Sequence, residues 1–231
     1  MDNWNGPLAA FDLETTGVDV RQARIVTACI AILDPDGTVR ERSDWLADPG
    51  VEIPAQASAI HGITTAQARA EGRPAPEVVV EVAARLTQLQ SHGIPLVVYN
   101  APYDLSLLAA ECLRHGLAPL EIPGPVIDPL VIDQAVDRYR RGKRTLEVTA
   151  ELYGVTLDGA HDAGADAIAA GRLAQALAAR YPNELDIPLV DLHGRQENWY
   201  AARAVDYQAY RRRTGDSGFS ASTAWPIRRA G

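Results

Sequence analysis

Two acidic residues separated by a single position are the first candidates for chemistry in this chain. Asp12 and Glu14 lie in the stretch Phe-Asp-Leu-Glu-Thr-Thr-Gly at 11–17, which follows the apolar residues 8–10. Because side chains alternate along a strand, both carboxylates project from one face and repel each other. A fold tolerates such a pair most readily when a divalent cation lies between the carboxylates. The stretch therefore predicts part of a metal site, and Gly17 predicts a turn directly after it.

Two later acids and a histidine are candidates for the rest of the site. Asp104 lies in the first turn of a predicted helix that follows a buried strand, which places its carboxylate near the positive end of the helix dipole. Asp166 lies one turn into the last strong helical pattern, and His161 precedes that helix in the Gly/Ala-rich stretch 161–167. Small residues let a helix approach a sheet closely, so Asp166 is expected near the first strand. Taken singly, Asp104 is more typical of a helix cap, and His161 of an incidental loop residue.

The elements that must position these residues begin with three strands. Residues 24–33 are almost continuously apolar, which is typical of a strand covered on both faces. A turn signal at 34–37 precedes a third strand at 38–46, and the three strands predict an antiparallel meander. Two short strands are predicted at 94–99 and 126–128, which makes five in all.

Helical patterns occupy most of the remaining chain. Thr64 is expected to cap a short helix after a glycine-containing loop at 59–64, and Gly72 and Pro74 are expected to end that helix. Further helices are predicted at about 76–90, 100–115, 130–139, 145–152 and 162–180. Strands followed by helix–strand–helix units predict an α/β fold with a mixed five-stranded sheet flanked by helices. The sequence contains no dinucleotide-binding glycine fingerprint and no Walker A motif.

Composition narrows the class of protein. The chain has 231 residues and a hydrophobic content of 47%, which are enough for one sizeable domain with or without an appendage. Its net charge is −8. It has no apolar run long enough to span a membrane and no secretory signal at its N-terminus, and Cys29 and Cys112 are expected to be reduced core residues. These features predict a cytoplasmic protein. The acidic balance argues against an extended nucleic-acid-coating surface, but not against a compact site where cations neutralise phosphates.

Two basic segments leave alternatives open. The turn at 138–144 contains five basic residues and is either a solvated face or an edge that steers phosphates towards an active site. Beyond Pro188, aromatic residues interleave with arginines, and this tail either docks on the domain or contacts nucleic acid or a protein. The predicted organisation is a domain over 1–185 and a basic, aromatic-containing, partly helical extension over 186–231.

The order and spacing of the motifs resemble those of the DEDDh 3′–5′ exonucleases, the group that includes bacterial proofreading subunits and has a ribonuclease H-like fold. The matching pieces are Phe-Asp-Leu-Glu-Thr-Thr-Gly at 11–17, Ile-His-Gly-Ile-Thr at 60–64, Asn-Ala-Pro-Tyr-Asp at 100–104 and His-x4-Asp at 161–166. They span most of residues 8–180, and the first and last are the most specific.

The resemblance implies a role for each matching acid and for the histidine. It makes Asp12, Glu14, Asp104 and Asp166 the metal-binding catalytic acids and His161 the general base. The other branch of the family carries a tyrosine four residues before the last acid. This chain has an aspartate at that position, 162, which favours the histidine branch.

The same resemblance implies a set of substrate contacts. Ile60 and His61 would bracket the terminal base. The nucleotide pocket would be lined by Thr15, Thr16, Gly17, Asn100 and Tyr103. Tyr99 stands where relatives often have histidine, and Tyr103 replaces a common phenylalanine. Both changes keep the shape of the side chain and are expected to tune substrate fit.

The implied reaction is a two-metal displacement that uses Mg²⁺ or Mn²⁺. Asp12, Glu14 and Asp166 would hold the ion that orients the attacking water, and Asp12, with Asp104 nearby, the ion at the leaving 3′-oxygen. His161 would take the proton of the water. The expected substrate is the 3′ end of a nucleic acid, single-stranded and with DNA favoured, and the expected product is a nucleoside 5′-monophosphate.

Several functional alternatives remain beside this expectation. One is a non-catalytic nucleic-acid-binding or polymerase-interaction module that retains the fold, and another is an RNA-trimming exoribonuclease. A structural acidic protein with chance motif matches is the third. Within the DNA-directed class, proofreading beside a DNA polymerase competes with a free-standing role in DNA repair.

Overall fold

The computed structural model describes residues 4–157, 159 and 161–228, which form one mixed sheet with helices packed on it. The strands are β1 (Leu8–Thr15), β2 (Ile25–Leu33), β3 (Val39–Asp48), β4 (Arg73–Pro74), β5 (Leu96–Val97) and β6 (Val126–Ile127). The helices are α1 (Ala55–His61), α2 (Thr65–Glu71), α3 (Ala75–Ser91), α4 (Ala101–Arg114), α5 (Pro129–Val136), α6 (Leu146–Leu152), α7 (Ala163–Arg180), α8 (Pro182–Leu185) and α9 (Leu189–Arg213).

The sheet has the order β4-β3-β2-β1-β5-β6. Strands β1, β2 and β3 form the antiparallel meander that the sequence predicts, whereas β5 and β6 run parallel to β1. Helices cover both faces, which explains why β2 is almost continuously apolar. The α/β class and the mixed, helix-flanked sheet are thus confirmed.

The two faces of β1 have different partners. Phe11 and Leu13 belong to the hydrophobic core that contains α3 and α4, whereas Leu8 and Ala10 belong to the core that contains α7. By the alternation of a strand, the acidic positions 12 and 14 continue the face of Leu8 and Ala10. The acid pair therefore lies on the face that α7 covers.

Helix α7 approaches the sheet closely because it presents a glycine to it. A Cβ atom added at Gly171 would lie 3.0 Å from a Leu33 methyl group and 3.2 Å from the Cβ of Ala10. Contacts this short leave no room for a larger residue. The close approach that the small residues predict is present, and it brings the first turn of α7 beside β1.

The sheet has six strands, so the prediction of five was wrong. The additional strand, β4, is two residues long and pairs in parallel with Ala47 and Asp48 at the end of β3. In the sequence, Gly72 and Pro74 signal only the end of a helix, because a two-residue strand has no periodicity to detect. Gly72 permits the pairing, since a Cβ atom there would lie 2.6 Å from the backbone nitrogen of Asp48.

Other boundaries also differ from the predictions. The strand predicted at 94–99 is reduced to β5, and part of the loop predicted at 59–64 is the last turn of α1. Gly62, with φ of +79°, ends α1 in the left-handed conformation. Thr64 caps α2 as predicted, because its hydroxyl oxygen accepts a hydrogen bond from the backbone N–H of Gln67 at 3.1 Å.

The C-terminal extension packs on the rest of the chain. Leu189 and Leu192 of α9 belong to the α7 core, and Trp225 belongs to the core of α3 and α4. Docking is therefore observed, while the division of the chain at residue 185 stays a prediction. No helix in the described residues has the length and hydropathy needed to cross a membrane.

Candidate active site

Three of the predicted site residues offer ligand atoms close enough together to share one metal ion. One ligand atom each from Glu14, His161 and Asp166 forms a group in which all the atoms lie within 4.8 Å of one another. Glu14 is supplied by the end of β1 and Asp166 by the first turn of α7. His161 stands in the turn before α7, and its backbone N–H donates to Oδ2 of Asp166 at 3.2 Å. The long-range approach of positions 14 and 161–166 is the one that the motifs predict.

Asp12 and Asp104 belong to the same electrostatic group. Burial raises the pKa of Asp12 well above its usual range, and the charges of Asp104, Asp166 and Glu14 raise it further. Asp104 is buried, with 3% of its surface exposed, and its Oδ1 accepts a hydrogen bond from the backbone N–H of Leu13 at 3.2 Å. That hydrogen bond ties the first turn of α4 to β1 at the residue between the two acids.

Burial and mutual repulsion disfavour the charged forms of all four acids, and a bound cation would offset both effects. Burial raises the pKa of Glu14 to about 8, with added repulsion from Asp166. Burial also raises the pKa values of Asp104 and Asp166. In addition, Oδ1 of Asp166 is buried and has no hydrogen-bond partner among the described residues. Hard carboxylate oxygens with unmet charge fit divalent cations, so the residues present fit the metal dependence that the resemblance implies.

The raised pKa values predict how the metal-free protein responds to pH. A folded-state pKa above the unfolded value stabilises the fold at low pH, and that stability is lost as the pH rises through the folded pKa. For Glu14 the loss spans the range from its ordinary value of 4.5 to about 8. In chelator, Glu14→Gln should therefore gain about 2 kcal/mol of unfolding free energy relative to wild type between pH 4.5 and pH 8.

Denaturant unfolding at the two pH values measures this difference. Glu52→Gln, which removes the same charge from an exposed position, is the control and should follow the wild type. If the free energies of Glu14→Gln and wild type change in parallel with pH, Glu14 does not carry the repulsion.

An arginine that the sequence analysis missed fixes the start of α7. Oδ1 of Asp162 accepts from the backbone N–H of Ala165 at 2.9 Å and lies 3.4 Å from Nη2 of Arg42 on β3. The same guanidinium contacts Asp44 at 2.7 Å through Nε. Gly164 makes room for it, because a Cβ atom there would lie 2.0 Å from Nη2 of Arg42. No sequence motif predicts a role for Arg42, since arginines are common on exposed strands.

The turn after β1 is closed by hydrogen bonds around Tyr103. Its hydroxyl donates to the carbonyl oxygen of Gly17 at 2.6 Å and lies 2.6 Å from the hydroxyl of Thr15. Thr16 is 9% exposed, and its hydroxyl oxygen accepts from the backbone N–H of Arg24 at 2.9 Å. These four predicted substrate residues are therefore neighbours. Tyr103 holds the turn through the hydroxyl that a phenylalanine would lack.

The remaining predicted substrate residues differ from one another in location and exposure. His61 lines a cleft of about 340 Å³ together with His161 and Arg42. Ile60 is 56% exposed in the last turn of α1. Asn100 precedes α4 in the left-handed conformation, with φ of +61°.

Asp128 is a second residue that the sequence analysis did not connect to the site. It is fully buried and caps α5, and its Oδ1 and Oδ2 also accept the backbone N–H groups of Asn100 and Ala101, both at 2.9 Å. Burial raises the pKa of Asp128 to about 6. In the sequence, Asp128-Pro129 is a recognisable helix start and could have predicted that Asp128 caps α5. It could not have predicted the hydrogen bonds from Asp128 to the start of α4.

The basic turn at 138–144 divides into two kinds of residue. Arg140 and Arg144 form ion pairs with the fully buried Asp133 and are structural. Arg141 and Lys143 are exposed, and Arg138 lies 3.6 Å from Asp206. The alternatives of a solvated face and a phosphate-steering edge therefore apply only to the exposed residues.

Comparison with known proteins agrees with this fold. Residues 9–174 match the model of the RNase T-type exonuclease family. The chain belongs to this exonuclease family, in the ribonuclease H-like superfamily, as the resemblance predicts. Divalent-metal dependence is what the family implies for the carboxylate cluster.

Curated relatives extend the comparison. A DNA polymerase III subunit epsilon-like protein from Rhodobacter capsulatus is 31% identical over 195 residues, which are 80% of this chain and 26% of that protein. A PolC-type DNA polymerase III from Lacticaseibacillus paracasei is 31% identical over 167 residues, covering 72% of this chain and 11% of the polymerase. The chain thus spans about a quarter or less of the length of these relatives.

Solved structures share the fold. One structure of exonuclease I aligns with a TM-score of 0.67 at 22% identity and covers 78% of this chain and 42% of that protein. Escherichia coli exonuclease I in complex with a dT13 oligonucleotide aligns with a TM-score of 0.66, again at 22% identity, over 78% of this chain and 43% of that protein.

Proposed function

We propose that this chain is a metal-dependent 3′–5′ exonuclease that releases nucleoside 5′-monophosphates from the 3′ end of a nucleic acid, with DNA favoured. The observation that carries the proposal is the group formed by Glu14, His161 and Asp166, whose ligand atoms lie within 4.8 Å of one another. An acidic pair on a strand accounts for cation binding but not for proton transfer. A histidine in the same group adds a ring nitrogen that is able to accept a proton.

The chain's own residues divide the work of a two-metal displacement. Asp12, Glu14 and Asp166 would hold one divalent ion, Mg²⁺ or Mn²⁺, and Asp12 with Asp104 a second. When bound, such ions activate water and neutralise charge on the phosphate and the leaving oxygen. His161 would accept the proton of the attacking water at a ring nitrogen.

The substrate contacts follow from the turn after β1. Thr15, Thr16 and Gly17 would meet the terminal nucleotide in a turn held by Tyr103, with Asn100 at the start of α4. Ile60 and His61 would bracket the terminal base from the end of α1. The exposure of Ile60 in the free protein is consistent with an apolar side chain that becomes covered by a base.

The decisive assay is hydrolysis of a single strand labelled at its 3′ nucleotide. Mg²⁺ or Mn²⁺ should support release of labelled mononucleotide, and chelator should abolish it. A 3′-phosphate should block the reaction, because it places a larger, negatively charged group where the neutral 3′-hydroxyl would lie. Tight binding without cleavage in either metal would instead favour a non-catalytic nucleic-acid-binding module.

The polymer and the partners are separate parts of the proposal. Parallel assays on single-stranded DNA, duplex DNA and short RNA distinguish the DNA-directed enzyme from an RNA-trimming exoribonuclease, because that choice depends on contacts to the 2′-hydroxyl. The names of the curated relatives support a DNA polymerase as partner. The proposed role is proofreading beside such a polymerase or free-standing DNA repair, in the cytoplasm. Co-elution with a replicative polymerase, tested with purified components, separates proofreading from free-standing repair.

A further inference from the structure

The start of α4 depends on one buried carboxylate. The first N–H groups of a helix have no partner within the helix. Here the N–H groups of Asn100 and Ala101 both donate to Asp128, which holds Asn100 in its left-handed conformation. Asp104 follows three residues after Ala101 and reaches Leu13 on β1. The orientation of this acid therefore depends on Asp128.

Asp128 is in turn held by α9, which lies outside the family match. The fully buried Gln196 accepts the backbone N–H of Asp128 at 2.7 Å and donates to the carbonyl oxygen of Val126 at 2.9 Å. Nδ1 of His193 accepts the backbone N–H of Val126 at 3.0 Å. These two side chains satisfy the edge of β6 in place of a further strand.

The segment after α9 adds a contact to the carboxylate itself. Trp225 is 6% exposed, its ring lies 4.8 Å from that of His193, and its indole N–H donates to Oδ2 of Asp128 at 3.4 Å. Three residues later, the backbone N–H of Arg228 donates to the hydroxyl of Ser106 on α4 at 2.8 Å. The C-terminal segment thus contacts both the cap of α4 and α4 itself.

We propose that Trp225 is a positioning residue for the exonuclease site, acting through Asp128 on the first turn of α4. This inference rests on the proposed function for its catalytic consequence. Among the described carboxylates, Trp225 hydrogen-bonds Asp128 and not the four acids proposed to bind metal. It completes the set of donors that fixes the Asp128 carboxylate and, through it, Asn100, Tyr103 and Asp104. The chain therefore uses residues beyond its family-matched region to build its active site.

The test compares two Trp→Phe variants of the full-length protein. Trp225→Phe removes the indole N–H and keeps most of the packing. Trp199→Phe makes the same chemical change at a partly buried tryptophan of α9 that packs against the same core and serves as the matched control. Loss of one hydrogen bond to a buried carboxylate should lower kcat about tenfold in Trp225→Phe. KM should rise as well, because Asn100 and Tyr103, which are proposed to meet the terminal nucleotide, depend on the same carboxylate.

Hydrogen exchange supplies a readout that does not depend on activity. The amide hydrogen of Ala101 should exchange about tenfold faster in Trp225→Phe than in wild type, and at the wild-type rate in Trp199→Phe. Equal exchange and equal kcat in the two variants would overturn the proposal. So would a kcat loss that disappears on cooling below the melting transition, because that pattern marks global destabilisation. An inactive wild type would refute the proposed function, while the exchange rates would still decide the positioning role.

Discussion

Asp12→Asn is expected to abolish hydrolysis and to raise the melting temperature of the metal-free protein. The loss of activity should be at least about 10³-fold, because the residue proposed to bridge both cations would lose its charge. The gain in stability has an electrostatic cause. Asp12 is surrounded by Asp104, Asp166 and Glu14, and burial already raises its pKa. A neutral amide of the same shape removes that repulsion.

Thermal melting with and without Mn²⁺, combined with the mononucleotide-release assay, measures both effects. Wild type should be stabilised as the Mn²⁺ concentration rises, since the ion binds the folded state, whereas Asp12→Asn should respond weakly. Asp191→Asn, at an exposed position in α9, is the charge-matched control and should behave as wild type. Activity of Asp12→Asn within tenfold of wild type would contradict its role as a bridging ligand.

His161→Asn is expected to separate metal binding from turnover. Removal of a general base should lower kcat by about 10² to 10⁴-fold. The four acids remain, so stabilisation by Mn²⁺ should persist. Asparagine is the substitution of choice because His161 has φ of +67°, a conformation that asparagine tolerates and alanine does not. The variant therefore changes the ring without straining the turn before α7.

The pH–rate profile supplies the second readout for His161. A general base accepts a proton only in its unprotonated form, so any fall in the wild-type rate that comes from His161 should be absent from the residual activity of His161→Asn. His92→Asn makes the same substitution at an exposed histidine after α3. This control should leave the rate unchanged. Near-normal kcat in His161→Asn would remove it as the base. Loss of Mn²⁺ stabilisation would instead make it a metal ligand.

Much of the fold was readable from the sequence because its signals are local. The alternation of side chains along residues 8–15 predicted that the acid pair lies on one face, and the threonine at 64 predicted the cap of α2. The glycines and alanines of α7 predicted its close approach to the sheet. Each of these signals depends on residues within a few positions of each other, where strand and helix periodicity act directly. The same signals missed β4, α1 and α8, which are too short to show a period.

The residues proposed to do the chemistry were also readable from the sequence, since the types and spacing of Asp12, Glu14, Asp104, His161 and Asp166 match a family. The contacts that hold them in place became visible only in the folded chain. Asp128 takes hydrogen bonds from residues 27 and 28 positions earlier and from Trp225, 97 positions later. Arg42 reaches Asp162 across 120 positions. Such contacts have no local signature, because a buried carboxylate or an exposed arginine gains its partner only when packing brings distant elements together.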